Sequence, residues 1–223
     1  MVMATAKAFY IILTVCANMG FLMRLIRVIK GRAPLFHRMI VFGVGCAALG
    51  RLYETFILFT QSKMQSGFHV GKLGIIGSFL FFISANYGQI NSLADDGSKK
   101  FRKYRSIAHI APLAVAGLYT LSFSFTGFTE TAVVDLVISG IICQASYFHL
   151  KLLIFPDAEG GIIRTLRPFN LMALIYAFLC MAEMFFVAAG MSEVFFMIDF
   201  ALLSICLLLI LPLLERRIRK RKT

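Results

Sequence analysis

The feature that most constrains this chain is a series of seven apolar runs separated by short polar connections. Each run holds about 20 residues, the length an α-helix needs to cross the hydrocarbon core of a bilayer. Only 15% of the residues are charged, whereas soluble domains have about 25%. We therefore predict an all-α integral membrane protein, with one seven-transmembrane-helix domain over residues 1–223. The spans are expected at about 7–29, 38–61, 72–93, 106–127, 131–154, 166–189 and 192–214.

The basic residues, which give a net charge of +12, predict the orientation of the spans. They are concentrated in the connections after spans 1, 3 and 5 and in the tail 215–223, whereas the loop after span 2 has only Lys63 and Lys72. The positive-inside rule then places the N-terminus outside and the C-terminus in the cytoplasm. Because these charges lie between apolar runs, we expect them to contact anionic lipid at the cytoplasmic face rather than nucleic acid. The chain has no N-x-S/T sequon, which is compatible with a prokaryotic or otherwise unglycosylated protein. We expect a multi-pass protein of a bacterial cytoplasmic membrane.

Ionisable residues also occur inside four of the predicted spans, where each costs about 2.5–3.5 kcal/mol on insertion scales. Counting the 1.5 Å rise per residue from the predicted outer ends places Glu54, Asp135 and Glu183 roughly 9–10 Å deep. Arg51 and Asp199 fall roughly 13–14 Å deep. Charges inside a membrane nearly always face the bundle interior and pair with one another. These five side chains are therefore the predicted ligand- or proton-binding site.

The charges of this predicted layer do not balance. Arg51 offsets only one of four carboxylates, and like charges in a low-dielectric site cannot all stay ionised unless a cation binds. One hypothesis is an outward-facing pocket for protons or a small cationic solute. The alternative is an arginine salt bridge that only locks helices, while Asp135 and Glu183 reach the headgroups.

The predicted inner half carries uncharged polar residues. Span 3 has Asn86 and Gln89, and span 5 continues from Asp135 through Ser139, Ser146 and His149 within a sector of about 80° at 100° per residue. Amides at this depth are expected to join neighbouring helices through hydrogen bonds. The functional hypothesis is that these residues form the inner lining of the same pathway.

Three classes of function remain open from these patterns. The first is a transporter of a small solute or of protons, the second a seven-helix receptor signalling to a cytoplasmic or membrane partner, and the third a structural membrane subunit. The expected partners of the protein are the lipid bilayer and the small solute or cation. A cytoplasmic protein or a second copy of the chain could also bind, through the basic tail or a helix face.

Enzymatic chemistry and cofactors find little support in the sequence. There is no GxSxG or HExxH motif, and the five cysteines lie inside apolar runs without CxxC spacing. No metal site is therefore expected. Seven spans with an outer N-terminus look like the microbial rhodopsins, but retinal attachment requires a lysine in the last span, and 192–214 contains none. We expect no cofactor and leave enzymatic activity undecided, leaning against it.

Overall fold

The computed structural model describes residues 2–31, 33–61, 67–87, 89–157, 161–191 and 193–222. Helices dominate this part of the chain, and it contains no β-strand. A short 3-10 turn, Lys99–Phe101, precedes the fifth helix. The helices are α1 (Val2–Lys30), α2 (Leu35–Gln61), α3 (Val70–Asn86), α4 (Gln89–Ala94), α5 (Arg102–Ala108), α6 (Ile110–Thr126), α7 (Glu130–Ile154), α8 (Ile162–Ala188) and α9 (Glu193–Lys222).

Six segments in the described residues are long and apolar enough to cross a membrane. Five lie in α1, α2, α7, α8 and α9, and the sixth, Lys99–Thr126, joins the 3-10 turn to α5 and α6. Helix α3 is a seventh, shorter apolar helix. The all-helical prediction is confirmed, and the helices indicate a polytopic membrane protein. The orientation of the helices across the membrane stays a prediction.

The third predicted span, 72–93, is divided in the structure. Helix α3 ends at Asn86, and Tyr87 takes an extended backbone with ψ 173° before α4 begins at Gln89. The intervening residue in the sequence is Gly88, and glycine is among the least favourable residues inside a helix. The last helix shows the opposite difference, because it continues past residue 214 to Lys222. Arginine and lysine, which fill this tail, are good helix formers.

Ion pairs show which helix ends meet. Arg51 of α2 binds Glu183 of α8, and Lys72 of α3 binds Asp135 of α7. This end, where α2 leads into α3, is called the α2–α3 end below. At the opposite α1–α2 end, Arg24 of α1 lies 3.5 Å from Glu215 of α9. The two ends carry separate sets of charges, and the predicted site belongs to the α2–α3 end.

Helices α2 and α3 pack closely because glycines line their contact. A Cβ atom on Gly74 would lie only 2.7 Å from the Cα of Gly50, and one on Gly71 would collide with the carboxylate of Glu54. Small residues let helix backbones approach in this way. The contact therefore holds Glu54 against α3 rather than against lipid.

Asp95, between α4 and the 3-10 turn, ties several segments together at the α1–α2 end. Its carboxylate accepts hydrogen bonds from Arg105 at 2.6 Å and Gly97 N–H at 3.0 Å, and Lys151 Nζ lies 2.7 Å away. Burial alone would raise the pKa of Asp95, but the bonds from Lys151 and Gly97, with the charges of Lys151 and Arg105, hold that pKa below its ordinary value.

The lowered pKa of Asp95 predicts that the protein loses stability in acid. The variant Asp95→Asn should not show this pH-dependent loss. A carboxyl whose folded pKa is depressed stabilises the protein above its unfolded pKa, here near 3.8, and loses that contribution as the pH falls through the lower folded pKa. We expect wild type to lose thermal stability in detergent below about pH 4. Asp95→Asn should be less stable at pH 7 and should lose less on acidification. Unfolding temperatures measured by circular dichroism test this prediction. If the unfolding temperatures of the two proteins fall by the same amount on acidification, the stabilising role of the Asp95 carboxylate is contradicted.

Candidate functional site

Arg51 is the centre of the charged layer at the α2–α3 end. Its side chain is only 2% exposed. Nη1 donates to Glu54 Oε2 at 2.9 Å and to Glu183 Oε1 at 2.7 Å, while Nη2 donates to the other oxygen of Glu183. The Arg51 guanidinium carbon also lies 4.6 Å from the ring centre of Phe200. Two carboxylates thus bind the terminal nitrogens of the guanidinium, the planar group best suited to such bidentate pairing, while its buried Nε has no hydrogen-bond partner among the described residues.

A second ion pair lies in the same layer. Lys72 Nζ donates to Asp135 Oδ1 at 2.7 Å, and both residues are buried. Gly71, the residue before Lys72, lies against the carboxylate of Glu54, which places the second pair beside the first. Lys72 is a loop residue in the sequence prediction and is not among the predicted site residues. With Lys72 included, the layer has two cations for four carboxylates, a formal charge of −2 if all ionise.

Asp199 is the carboxylate left over. It is 3% exposed, and its Oδ2 has no hydrogen-bond partner among the residues that the structure describes. Helix α9 holds Asp199 close enough to interact electrostatically with Glu183 and Arg51. Its neighbour Phe200 packs against Arg51. Of the five predicted site residues, Arg51, Glu54 and Glu183 are therefore joined to one another by hydrogen bonds. Asp135 pairs with a different cation, Lys72. Asp199 has no ion-pair partner in the described part of the chain.

A second polar cluster lies towards the opposite end of the bundle, where α3 ends at Asn86, and it joins α3, α7 and α8. Asn86 Nδ2 lies 3.0 Å from His149 Nδ1 and 2.7 Å from Asn170 Oδ1, and the latter two atoms are 2.8 Å apart. All three side chains are fully buried. Asn86 and His149 were predicted to line the inner half, whereas Asn170 was not predicted. We call these three residues the inner triad.

The inner triad cannot satisfy all three contacts at once. A neutral imidazole nitrogen is either a donor or an acceptor, and an amide oxygen only accepts. If His149 Nδ1 accepts from Asn86, it faces the oxygen of Asn170 without a hydrogen between them. If it donates to Asn170, it cannot accept from Asn86. The triad therefore has two alternative hydrogen-bond arrangements that differ in the proton on His149.

The other predicted pathway residues make local bonds. Ser139 Oγ donates to Met181 Sδ at 3.6 Å, and Ser146 Oγ donates to the carbonyl of Cys143 at 2.9 Å. Both serines are buried on α7, as the polar stripe predicts, but neither bond joins the charged layer to the inner triad. The side chain of Gln89 lies outside the described residues.

Aromatic side chains fill the space between the two polar clusters. Phe79, Phe82, Phe169 and Tyr176 are fully buried. Phe79 stacks on Tyr176 with ring centres 5.4 Å apart, and Phe82 meets Phe169 edge-on at the same distance. The clusters themselves are about 20 Å apart along the helices, since Lys72 and Asn86 are 14 residues apart on α3. We call these four residues the aromatic block.

The residues missed by sequence reasoning have a detectable pattern. Asp135 and His149 on α7 are also 14 residues apart, the same spacing as Lys72 and Asn86 on α3. Fourteen residues are about four helical turns, so each pair lies near one face. Matching this spacing on neighbouring helices would have placed Lys72 in the charged layer. Asn170 offers no comparable signal, because a single asparagine in an apolar helix is common.

In the described part of the chain, no group of three or more histidine, cysteine or acidic side chains is arranged to hold a metal ion. None of the protein-family models, curated proteins and solved structures compared with the chain matches it. The geometry of the charged layer and the inner triad is therefore the basis for a functional assignment.

Proposed function

We propose that this chain is a seven-helix transporter that takes up protons, alone or with a small cationic solute, at the charged layer. In this proposal the N-terminus lies outside, the C-terminus lies in the cytoplasm, and the α2–α3 end faces outward. The residues that exchange the proton or cation are Glu54, Glu183 and Asp199. The observation that carries the proposal is the buried carboxyl of Asp199, whose Oδ2 has no partner among the described residues while both terminal nitrogens of Arg51 are bound by Glu54 and Glu183.

Glu54, Glu183 and Asp199 compete for Arg51. The terminal nitrogens of its guanidinium bind Glu54 and Glu183, and its Nε has no hydrogen-bond partner among the described residues, so Asp199 receives no bond from Arg51 in this arrangement. An isolated carboxylate is very costly to bury. Asp199 must therefore hold a proton or a cation, or displace a neighbour that then does. Such an exchange couples the charge state of α9 to the contact between α2 and α8.

The inner triad supports a route beyond the charged layer. Its two hydrogen-bond arrangements allow His149 to bond either amide, depending on the proton at Nδ1. The aromatic block separates it from the layer, so the conformation described here corresponds to a state closed between the two clusters. Movement of Phe79 and Tyr176 would connect them. Ser139, Ser146 and Gln89 are the further candidates for lining that route.

The test compares Asp199→Asn with wild type in proteoliposomes that enclose a pH-sensitive dye. We expect an imposed pH gradient to be dissipated by wild type and at least tenfold more slowly by Asp199→Asn. The infrared band of a protonated carboxylic acid should be present in wild type and reduced in the variant. Glu130→Gln is the matched control, because it removes an exposed carboxylate at the same end of the bundle and should leave both signals unchanged.

Two results would overturn the proposal. Asp199→Asn could keep the wild-type flux and the full infrared band, which would leave Asp199 without a role in proton exchange. Wild type could also move no more protons than empty liposomes, with and without added small amines. Either result would favour a charged layer that only locks helices.

A further inference from the structure

A basic cleft lies between α1 and α9 at the α1–α2 end, remote from the charged layer. It encloses a cavity of about 410 Å³ lined by Arg24, Pro212, Glu215, Arg216 and Arg219. The four α9 residues follow the spacing i, i+3, i+4 and i+7, which places them on one helical face. Gly20 on α1 faces α9 here, because a Cβ there would lie in ordinary contact, 3.9 Å, with Leu208 of α9. The cleft is therefore formed by the packing of the two helices.

The cleft has an excess of positive charge. Three guanidiniums line it with one carboxylate, and Arg27 on α1 adds another cation to the same carboxylate. The pairs are loose: Glu215 lies 3.5 Å from Arg24 Nε and 3.4 Å from Arg27 Nη1. Arg24 Nε is buried and has no hydrogen-bond partner among the described residues, although Nη1 donates to the carbonyl of Gly20. Glu215 Oε1, 3.5 Å from Arg24 Nε, likewise has no hydrogen-bond partner among the described residues, so this long pair leaves the Arg24 donor unsatisfied.

We propose that this cleft binds a phosphate-bearing anion, with Arg24, Arg216 and Arg219 as its donors. Guanidinium groups bind phosphate through paired N–H donors, and basic pockets between membrane helices suit acidic headgroups. A doubly charged phosphate would neutralise the formal excess of +2 on the lining, and a singly charged one would halve it. The cleft lies where α9 carries its basic tail, so the phosphate of an anionic lipid and a free phosphate in solution share the chemistry required. This site does not depend on proton exchange at the charged layer.

The experiment measures binding to the full-length protein in detergent. One arm titrates dioleoyl phosphatidic acid, the second titrates dioleoyl phosphatidylcholine, and the third titrates inorganic phosphate. Binding is read by native mass spectrometry and by the rise in unfolding temperature. We expect phosphatidic acid to bind more tightly than phosphatidylcholine. Strong binding of inorganic phosphate alone would identify a soluble ligand of the same site.

The variants separate a built site from general attraction to a basic tail. Arg24→Gln and Arg216→Gln should each weaken binding of the phosphate ligand about fivefold, the effect of one cation near a membrane surface. Arg217→Gln is the matched control, because Arg217 is an exposed neighbour on α9 that does not line the cavity. It should retain wild-type affinity. Since Arg216 is exposed, its variant remains informative even if Arg24→Gln folds poorly.

The proposal fails if all three variants weaken binding equally, because that result would show unspecific attraction to positive charge. It also fails if phosphatidic acid, phosphatidylcholine and inorganic phosphate bind with the same affinity or not at all. Loss of proton flux in Asp199→Asn with intact phosphate binding would separate the two sites.

Discussion

Arg51→Gln is expected to lower the free energy of unfolding by about 3–5 kcal/mol, the usual cost of leaving buried charges without their partner. Glu54 and Glu183 are 5% and 7% exposed, and Arg51 is the cation that binds both. Removing it leaves two adjacent carboxylates from α2 and α8 without compensation. Unfolding in mixed micelles of increasing SDS content, followed by circular dichroism, measures the loss.

The control is the triple variant Arg51→Gln, Glu54→Gln and Glu183→Gln. It removes the ion pairs without leaving a charge unpaired, and such replacements are often tolerated because burying charges is itself costly. We expect it to recover most of the stability lost by Arg51→Gln. Equal losses in both variants would show that packing of the arginine, including its contact with Phe200, matters more than charge balance. An Arg51→Gln protein within 0.5 kcal/mol of wild type, the range of ordinary surface substitutions, would contradict the central role of the ion pairs.

The triple variant also separates stability from function. If the layer only locks helices, restoring stability should restore every property of the protein. If the carboxylates exchange protons, the triple variant should be stable but unable to dissipate a pH gradient. The combination of recovered folding and lost flux is therefore the result expected from the proposed function.

The helices could be predicted from the sequence because burial in lipid imposes a strong rule. Backbone polar groups without water must bond within the segment, so a long apolar run becomes a helix whatever its neighbours are. The exceptions arise where this rule weakens. Tyr87, beside Gly88, interrupts the third span, and the charged tail to Lys222 is helical through residue propensity rather than apolar length.

The candidate site was predictable in part for a similar reason. The depth of a charge along its helix follows from counting, and this placed Arg51, Glu54 and Glu183 in one layer before their contacts were known. Which charges pair with one another depends on how the helices are arranged around one another. Counting residues along each helix does not give this arrangement. The sequence therefore predicts Lys72 as a loop residue, whereas in the structure its Nζ lies 2.7 Å from Asp135 Oδ1. The aromatic block was likewise hidden among common apolar residues.

Gly74→Ala is expected to destabilise the protein by about 1–3 kcal/mol, the usual cost of forcing extra volume into a packed contact. A Cβ at Gly74 would lie 2.7 Å from both the Cα of Gly50 and the carbonyl oxygen of Cys46. Both are backbone atoms, so no side chain can rotate away and the two helices must separate. Separation would displace α2, which carries Arg51 and Glu54, relative to α3, which carries Lys72.

Gly117→Ala on α6 is the matched control for this prediction. A Cβ at Gly117 meets no atom within 4 Å, and alanine is a better helix former than glycine by about 1 kcal/mol. We therefore expect Gly117→Ala to be neutral or slightly stabilising in the same SDS unfolding assay. Because both substitutions add one methyl group to a helix, their difference isolates the close contact of α2 with α3. Equal effects of the two substitutions would show that this contact can relax without cost, and the charged layer would then not depend on the glycines that hold α2 against α3.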